Sequence, residues 1–147
     1  MLLLLLVSLV CLAAAEDCKC PRKTLRERLC YGSYVSLVVS KGEDETQSNA
    51  NLKFYTVQHE KVYKNSSVLS TTVITPVECG IALQNGEKFI IGGNSYAGER
   101  LYLKKCDLRK KWEKVSPVVK AKLEEFYKSP DDFCYKNRKI DVPLDDF

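Results

Sequence analysis

Glu16-Asp17-Cys18-Lys19-Cys20-Pro21 is the stretch on which the reading of this chain turns. Two cysteines one residue apart rarely bond to each other, because a disulfide needs Cα atoms roughly 4.4 to 6.8 Å apart with converging Cβ vectors. Each is therefore expected to pair with a distant cysteine. Such pairing staples this segment at two adjacent points onto separate parts of the fold and holds Lys19 between two fixed sulfurs as a rigid ridge, the geometry of a binding edge.

Upstream, residues 1–15 carry no side-chain charge, run through an apolar stretch interrupted by Ser8 and close on Ala13-Ala14-Ala15. Small residues at this place suit signal-peptidase cleavage before Glu16. Residues 1–15 are expected to be a signal peptide, and residues 16–147 a single secreted, extracellular domain with its core over residues 18–134. The rival, a membrane anchor, needs roughly 20 apolar residues, and the charges of Glu16 and Asp17 follow at once. No membrane anchor is expected. Cleavage would also remove Cys11 and leave six cysteines, Cys18, Cys20, Cys30, Cys79, Cys106 and Cys134. An even count in a secreted chain reads as a disulfide framework, and composition alone leaves 15 pairings open. Zinc ligation is the competing use of Cys-x-Cys. No Cys-x-x-Cys accompanies it, however, and the single histidine, His59, stands far from any cysteine in sequence, so neither an intrinsic metal nor a cofactor is expected. The net charge of +4 permits attraction to acidic glycans or acidic protein surfaces and gives no indication of nucleic acid.

Downstream, Thr24-Leu25-Arg26-Glu27 is a capping-box pattern that predicts a short helix carrying Leu25 and Leu29 inward and ending near Cys30. Residues 34–40 read as a strand, 41–51 as a polar loop with the solvated acidic run Glu43-Asp44-Glu45, and 52–64 as a long strand bent by a bulge. His59, inside that strand, reads as a structural residue facing solvent or a polar neighbour, since no nucleophile motif accompanies it. Asn65-Ser66-Ser67 is a glycosylation sequon. A strand over 68–75 is expected to lead into Pro76-Val77-Glu78-Cys79-Gly80, and Asn85-Gly86 between apolar flanks predicts a hairpin turn. Residues 89–92 and 101–105 read as the last two strands, with a Gly-rich loop between them that lacks phosphate-loop spacing. Lys104, Lys105, Arg109, Lys110, Lys111 and Lys114 form one basic cluster, read as a solvated short helix, with glycosaminoglycan contact as the functional alternative. Ser116-Pro117 opens a helix whose Val119, Leu123, Phe126 and Tyr127 share one face, and Ser129-Pro130 ends it. A helix near each end and five or six short strands between them predict a mainly β fold: a five-stranded Greek-key barrel of the OB type with flanking α-helices. A β-sandwich is the structural alternative.

These residues together resemble a known family. Cys-x-Cys, a third cysteine at Cys30, Thr75-Pro76-Val77-Glu78-Cys79-Gly80 and Phe89-Ile90-Ile91-Gly92-Gly93 before Cys106 carry the resemblance, joined by Tyr63-Lys64 and Trp112. The chain is similar to the netrin-like module of the tissue inhibitors of metalloproteinases, in particular to single-domain secreted forms from nematodes. The resemblance implies an OB barrel, no enzymatic activity, and bridges Cys18 to Cys79, Cys20 to Cys106 and Cys30 to Cys134. It also implies a protease-binding ridge of Cys18, Lys19, Cys20, Pro21, Val77, Glu78 and Cys79 that enters the cleft of an extracellular metalloprotease. There the first residue, when it is a cysteine, ligates the target's zinc through its free α-amine and its own carbonyl. Two features depart from that pattern. Cleavage after Ala15 leaves Glu16 and Asp17 ahead of Cys18, making its nitrogen an amide, and Lys19 puts a hydrated cation where the family presents a smaller or less polar side chain. The rival function is a non-inhibitory binding module acting on host or other extracellular proteins as an immunomodulatory, anti-inflammatory factor.

Overall fold

The computed structural model describes residues 18–136 apart from 66–67 and 97–99. The expected signal peptide, Glu16, Asp17, the rest of the sequon after Asn65 and the tail beyond Lys136 lie outside the described residues.

The first helix, α1 (Leu25–Tyr31), forms for the reason its sequence suggests. Thr24 Oγ1 accepts from the Glu27 amide at 3.2 Å and the Thr24 amide donates to Glu27 Oε2 at 3.1 Å, satisfying two otherwise orphaned donors. Six strands come next: β1 (Tyr34–Glu43), β2 (Leu52–Lys64), β3 (Thr72–Pro76), β4 (Lys88–Tyr96), β5 (Arg100–Tyr102) and β6 (Leu108–Lys111). After a 3-10 turn at Trp112–Lys114 comes α2 (Pro117–Lys128), capped by Ser116, whose hydroxyl accepts from the Val119 amide at 3.2 Å.

The sheet runs β1-β2-β3-β5-β4 and closes through an antiparallel β1–β4 pair, Tyr34 opposite Gly93 through Val39 opposite Lys88. Closure makes the fold a barrel of the OB type and removes the sandwich alternative. One link is parallel, β3 to β5, with Val73 beside Leu101 and Ile74 beside Tyr102. β5 takes one half of an edge of β4, at residues 94–96, and β6 the other half, at residues 89–92. The expected bend in β2 appears as register shifts against β1 between Val35 and Ser36 and between Leu37 and Val38.

Burial follows the two faces of the wall. Tyr34, Val38, Phe89 and Ile91 pack inside the barrel with Val73 and Leu101. Their chain neighbours Val35, Leu37 and Ile90 point outward beneath Leu29, Leu123 and Phe126. β1 and β4 are thus covered on both sides, which is why they read as continuous apolar runs rather than alternating ones.

Several boundaries differ from the sequence reading. β1 continues to Glu43, which pairs with Tyr55 of β2, because Ser40 is held by the loop before β4, the Gly86 amide donating to Ser40 O at 2.8 Å and the Ser40 amide to Glu87 O at 2.9 Å, and the Gly42 amide in turn donates to Ser40 Oγ at 3.1 Å. Asn85-Gly86 does form a turn, with Gly86 at φ +81°, yet it closes no hairpin. Residues 81–84 are not strand, and the turn folds back onto β1 instead. β3 starts only at Thr72, with Val68 89% exposed. β4 runs on to Tyr96 and β5 is the short Arg100–Tyr102. The basic run after Cys106 is strand β6, not a helix.

Candidate functional site: a double ridge at one pole of the barrel

β3 delivers the chain to the ridge. Where it ends, the Val77 amide donates to Asn51 O at 2.9 Å. The fully buried Thr75 turns its hydroxyl to accept from the Ile81 amide at 3.0 Å. These two bonds fold residues 77–80 into a tight loop. Gly80 has to be glycine there, since a Cβ would run into the Pro76 carbonyl oxygen and Thr75 Oγ1. Cys79 adopts the left-handed φ of +53°, a conformation costing an L-residue roughly 1 to 2 kcal/mol. Its carbonyl accepts from the Lys105 amide at 3.0 Å, tying the loop to the turn before β6.

The amino-terminal segment lies against this loop. Disulfides join Cys18 to Cys79 and Cys20 to Cys106, with Cα atoms 5.6 and 5.2 Å apart. Lys19, Cys20, Pro21 and Glu78 are exposed, Val77 is 45% exposed, and Cys18 and Cys79 are half-buried beneath them. Two short segments of backbone are therefore held side by side, each anchored from below, with their side chains turned to solvent. The third bridge, Cys30 to Cys134, has Cα atoms 5.8 Å apart and ties α1 to a π-helical turn, Asp132–Lys136. Its surroundings are reinforced by the Arg26 guanidinium, which donates to Cys134 O, and by Lys64 Nζ, which donates to Cys30 O at 2.8 Å. Burial lowers the pKa of that Lys64 amine.

The basic cluster does not form one patch. Lys104 and Lys105 are exposed in the turn that carries Cys106, beside the ridge. Arg109 donates to Ala82 O at 3.0 Å from Nε and lies 5.0 Å over the Phe89 ring. Burial depresses its pKa, with Glu87 acting the other way. Lys111 is paired with Glu87 at 2.8 Å. Lys110 is half-buried on β6 between these two, and Lys114 is exposed in the 3-10 turn. Asn65 is exposed just past the end of β2 opposite to Asn51. A strand of this length puts up to about 40 Å between Asn65 and the ridge.

His59 is a structural residue. Nε2 lies 2.8 Å from Ser70 O, which can only accept, so Nε2 carries the proton; Nδ1 faces Ser36 Oγ at 2.8 Å. Ser36 is fully buried, so this Ser-His contact is closed to substrate. Among the described residues no group of three or more His, Cys, Asp or Glu lies together to hold a metal.

The sequence showed no supporting role for the residues that hold the ridge, Asn51, Thr75, Gly80 and the Lys105 amide, although Thr75 and Gly80 bound the motif that carries the resemblance. The glycine directly after Cys79 was the one legible signal among them, marking a place where backbone approaches backbone.

A closed OB barrel whose Cys-x-Cys is bridged to the loop after β3 and to the turn before β6 defines a netrin-like module. The family model described as "Tissue inhibitor of metalloproteinase" matches residues 16–139, and the chain belongs to that family. Over 116 residues it is 29% identical to a Caenorhabditis elegans protein, tag-225, whose name places it provisionally among metalloproteinase inhibitors; the match covers 69% of this chain and 73% of that protein.

Proposed function

We propose that this chain is a secreted inhibitor-like protein of metalloendopeptidases, not an enzyme, that engages its target through the ridge of Cys18, Lys19, Cys20, Pro21, Val77, Glu78 and Cys79. The observation that carries the reading is the pair of disulfides with Cα separations of 5.6 and 5.2 Å under an exposed edge. An edge fixed before docking loses little conformational entropy when it enters a cleft. A zinc ion in such a cleft keeps an open position for a ligand, and an α-amine with an unperturbed pKa near 7.7 to 8.0 serves once neutral. Cys18 supplies that amine only if Glu16 and Asp17 are removed; as an internal residue its nitrogen is an amide without an available lone pair.

Glu16 and Asp17 favour the second reading, a non-inhibitory extracellular binding protein with an immunomodulatory role, because they put two carboxylates ahead of the ridge. Under either reading a glycan on Asn65 stands at the opposite pole and leaves the ridge open. The intact mass of the secreted protein, followed by assay against a panel of secreted zinc metalloendopeptidases, separates the two. Inhibition by the form that begins at Cys18 supports the first reading. A protein that begins at Glu16 and inhibits none of the panel overturns zinc ligation and leaves the binding module.

A further inference from the structure

The position of Lys104 and Lys105 sharpens what kind of cleft this ridge fits. Both directly precede Cys106 in a turn whose cysteine lies 5.2 Å, Cα to Cα, from Cys20, and the Lys105 amide is bonded to Cys79 O. Lys19 is the chain neighbour of Cys20, so the Cα atoms of Lys19 and Lys105 are no more than about 13 Å apart. Arg22, two residues beyond Cys20, is also exposed. We infer that Lys19, Arg22, Lys104 and Lys105 form one basic border around the exposed Val77 and Pro21, and that the ridge selects a protein partner whose cleft is rimmed by carboxylates.

Charge and chemistry both point this way. On the described part of the ridge Glu78 is the opposing exposed carboxylate, while Asp107 turns its Oδ2 inward to accept from the Lys104 amide at 2.8 Å. Lys19 and Lys105, whose Cα atoms lie within about 13 Å, are little more than a Debye length of about 8 to 10 Å apart and act with the neighbouring Arg22 and Lys104 on an approaching partner as one field. Lys19 adds a local demand. An ammonium carried into a closed pocket needs an acceptor waiting there, so a partner that receives it has to offer a carboxylate or an outlet to water. The layout suits a folded cleft better than a sulfated glycan chain. Its cations stand on the same stapled segments as the exposed apolar Pro21 and Val77, the mixture that interface rims present, and the row does not extend along β6, where Arg109 and Lys111 are held by Ala82, Phe89 and Glu87.

This inference rests on the ridge being the docking edge, and its test keeps the two apart. Association rates of the full secreted chain are measured at low and high salt against secreted zinc metalloendopeptidases chosen to span acidic and basic cleft rims. The same chain is passed over immobilised heparin. The Lys104→Glu/Lys105→Glu variant is run alongside, with a thermal melt to show that it folds; Lys105 contributes its backbone amide to the Cys79 bond, so that contact survives. Acid-rimmed enzymes are expected to associate fastest, with rates that fall steeply with salt, and the variant is expected to lose on the order of tenfold in on-rate with little change in off-rate. Binding with the same on-rate for all rims and for the variant overturns the inference while leaving the ridge as the docking edge. Heparin retention lost in the variant while protease on-rates are unmoved assigns the cations to a glycan instead. Absence of binding by any enzyme overturns the ridge reading and this inference with it.

Discussion

Gly80 and Tyr34 show how single positions hold the ridge and the barrel beneath it. A methyl group at residue 80 would meet the Pro76 carbonyl oxygen and Thr75 Oγ1. Gly80→Ala is therefore expected to lower stability by about 1 to 3 kcal/mol and to displace the 77–79 loop, read as a lower melting temperature together with weakened partner binding. Tyr34 is fully buried and its hydroxyl donates to Tyr102 O at 3.0 Å. Burial, and secondarily the charge of Asp107, push its pKa well above the ordinary phenol value. A free tyrosine in the unfolded chain loses its proton near pH 10, while the folded state keeps it. The folded state then binds more protons, so this contribution to stability is fully present below about pH 10 and declines as pH rises beyond it. Tyr34→Phe should cost about 0.5 to 1.5 kcal/mol near neutrality. The gap between the two proteins in denaturant unfolding should narrow above pH 10, and parallel curves would show that Tyr34 does not titrate this way.

At the scale of elements, legibility tracked the chemistry of ends and faces. Both helices were readable because their caps are local: Thr24 with Glu27, and Ser116 before Pro117, form the hydrogen bonds their spacing predicts. Ser116→Ala should destabilise α2 by about 1 kcal/mol and Ser116→Gly by only a few tenths, compared by thermal unfolding. β6 was not readable, because no local signal says that Leu108-Arg109-Lys110-Lys111 is strand. Its pairing with β4 and the remote partners of Arg109 and Lys111 at Ala82, Phe89 and Glu87 decide it, an override of propensity by tertiary context. The Asn85-Gly86 turn was legible as a turn and misleading as a hairpin, since the strands adjacent to β3 in the sheet are β2 and β5, not its successor β4. Tyr127 was placed with the helix core and is instead 49% exposed, its ring edge-on to Tyr63 at 5.9 Å under the Lys61 ammonium.

Over the whole molecule, three bridges with sequence separations of 61, 86 and 104 residues divide two tasks. Cys18–Cys79 and Cys20–Cys106 build the ridge, whereas Cys30–Cys134 lies at the end of the barrel where Lys64 caps the Cys30 carbonyl. Replacing Cys30 and Cys134 together by Ala should cost about 2 to 5 kcal/mol yet leave partner affinity unchanged below the melting transition. Loss of affinity in step with stability would show that the two poles are coupled. The ridge itself was legible as a stapled edge from Cys18-Lys19-Cys20 alone. Its supporting shell was not, because Asn51 and Lys105 act through their backbone carbonyl and amide, and Thr75 through a hydroxyl turned onto a backbone amide six residues on, none of which a side-chain pattern announces.

The central claim is that this edge enters a metalloendopeptidase cleft, and inhibition by a chain whose first residue is Cys18 tests it most directly. That form, assayed against the enzyme panel beside its folded Val77→Asp counterpart, is predicted to inhibit at least one enzyme, with the substitution weakening inhibition by on the order of tenfold or more, as expected for a charge placed at the centre of an interface. Inhibition equal in the two proteins, or absent from the Cys18 form against every enzyme, would contradict the account.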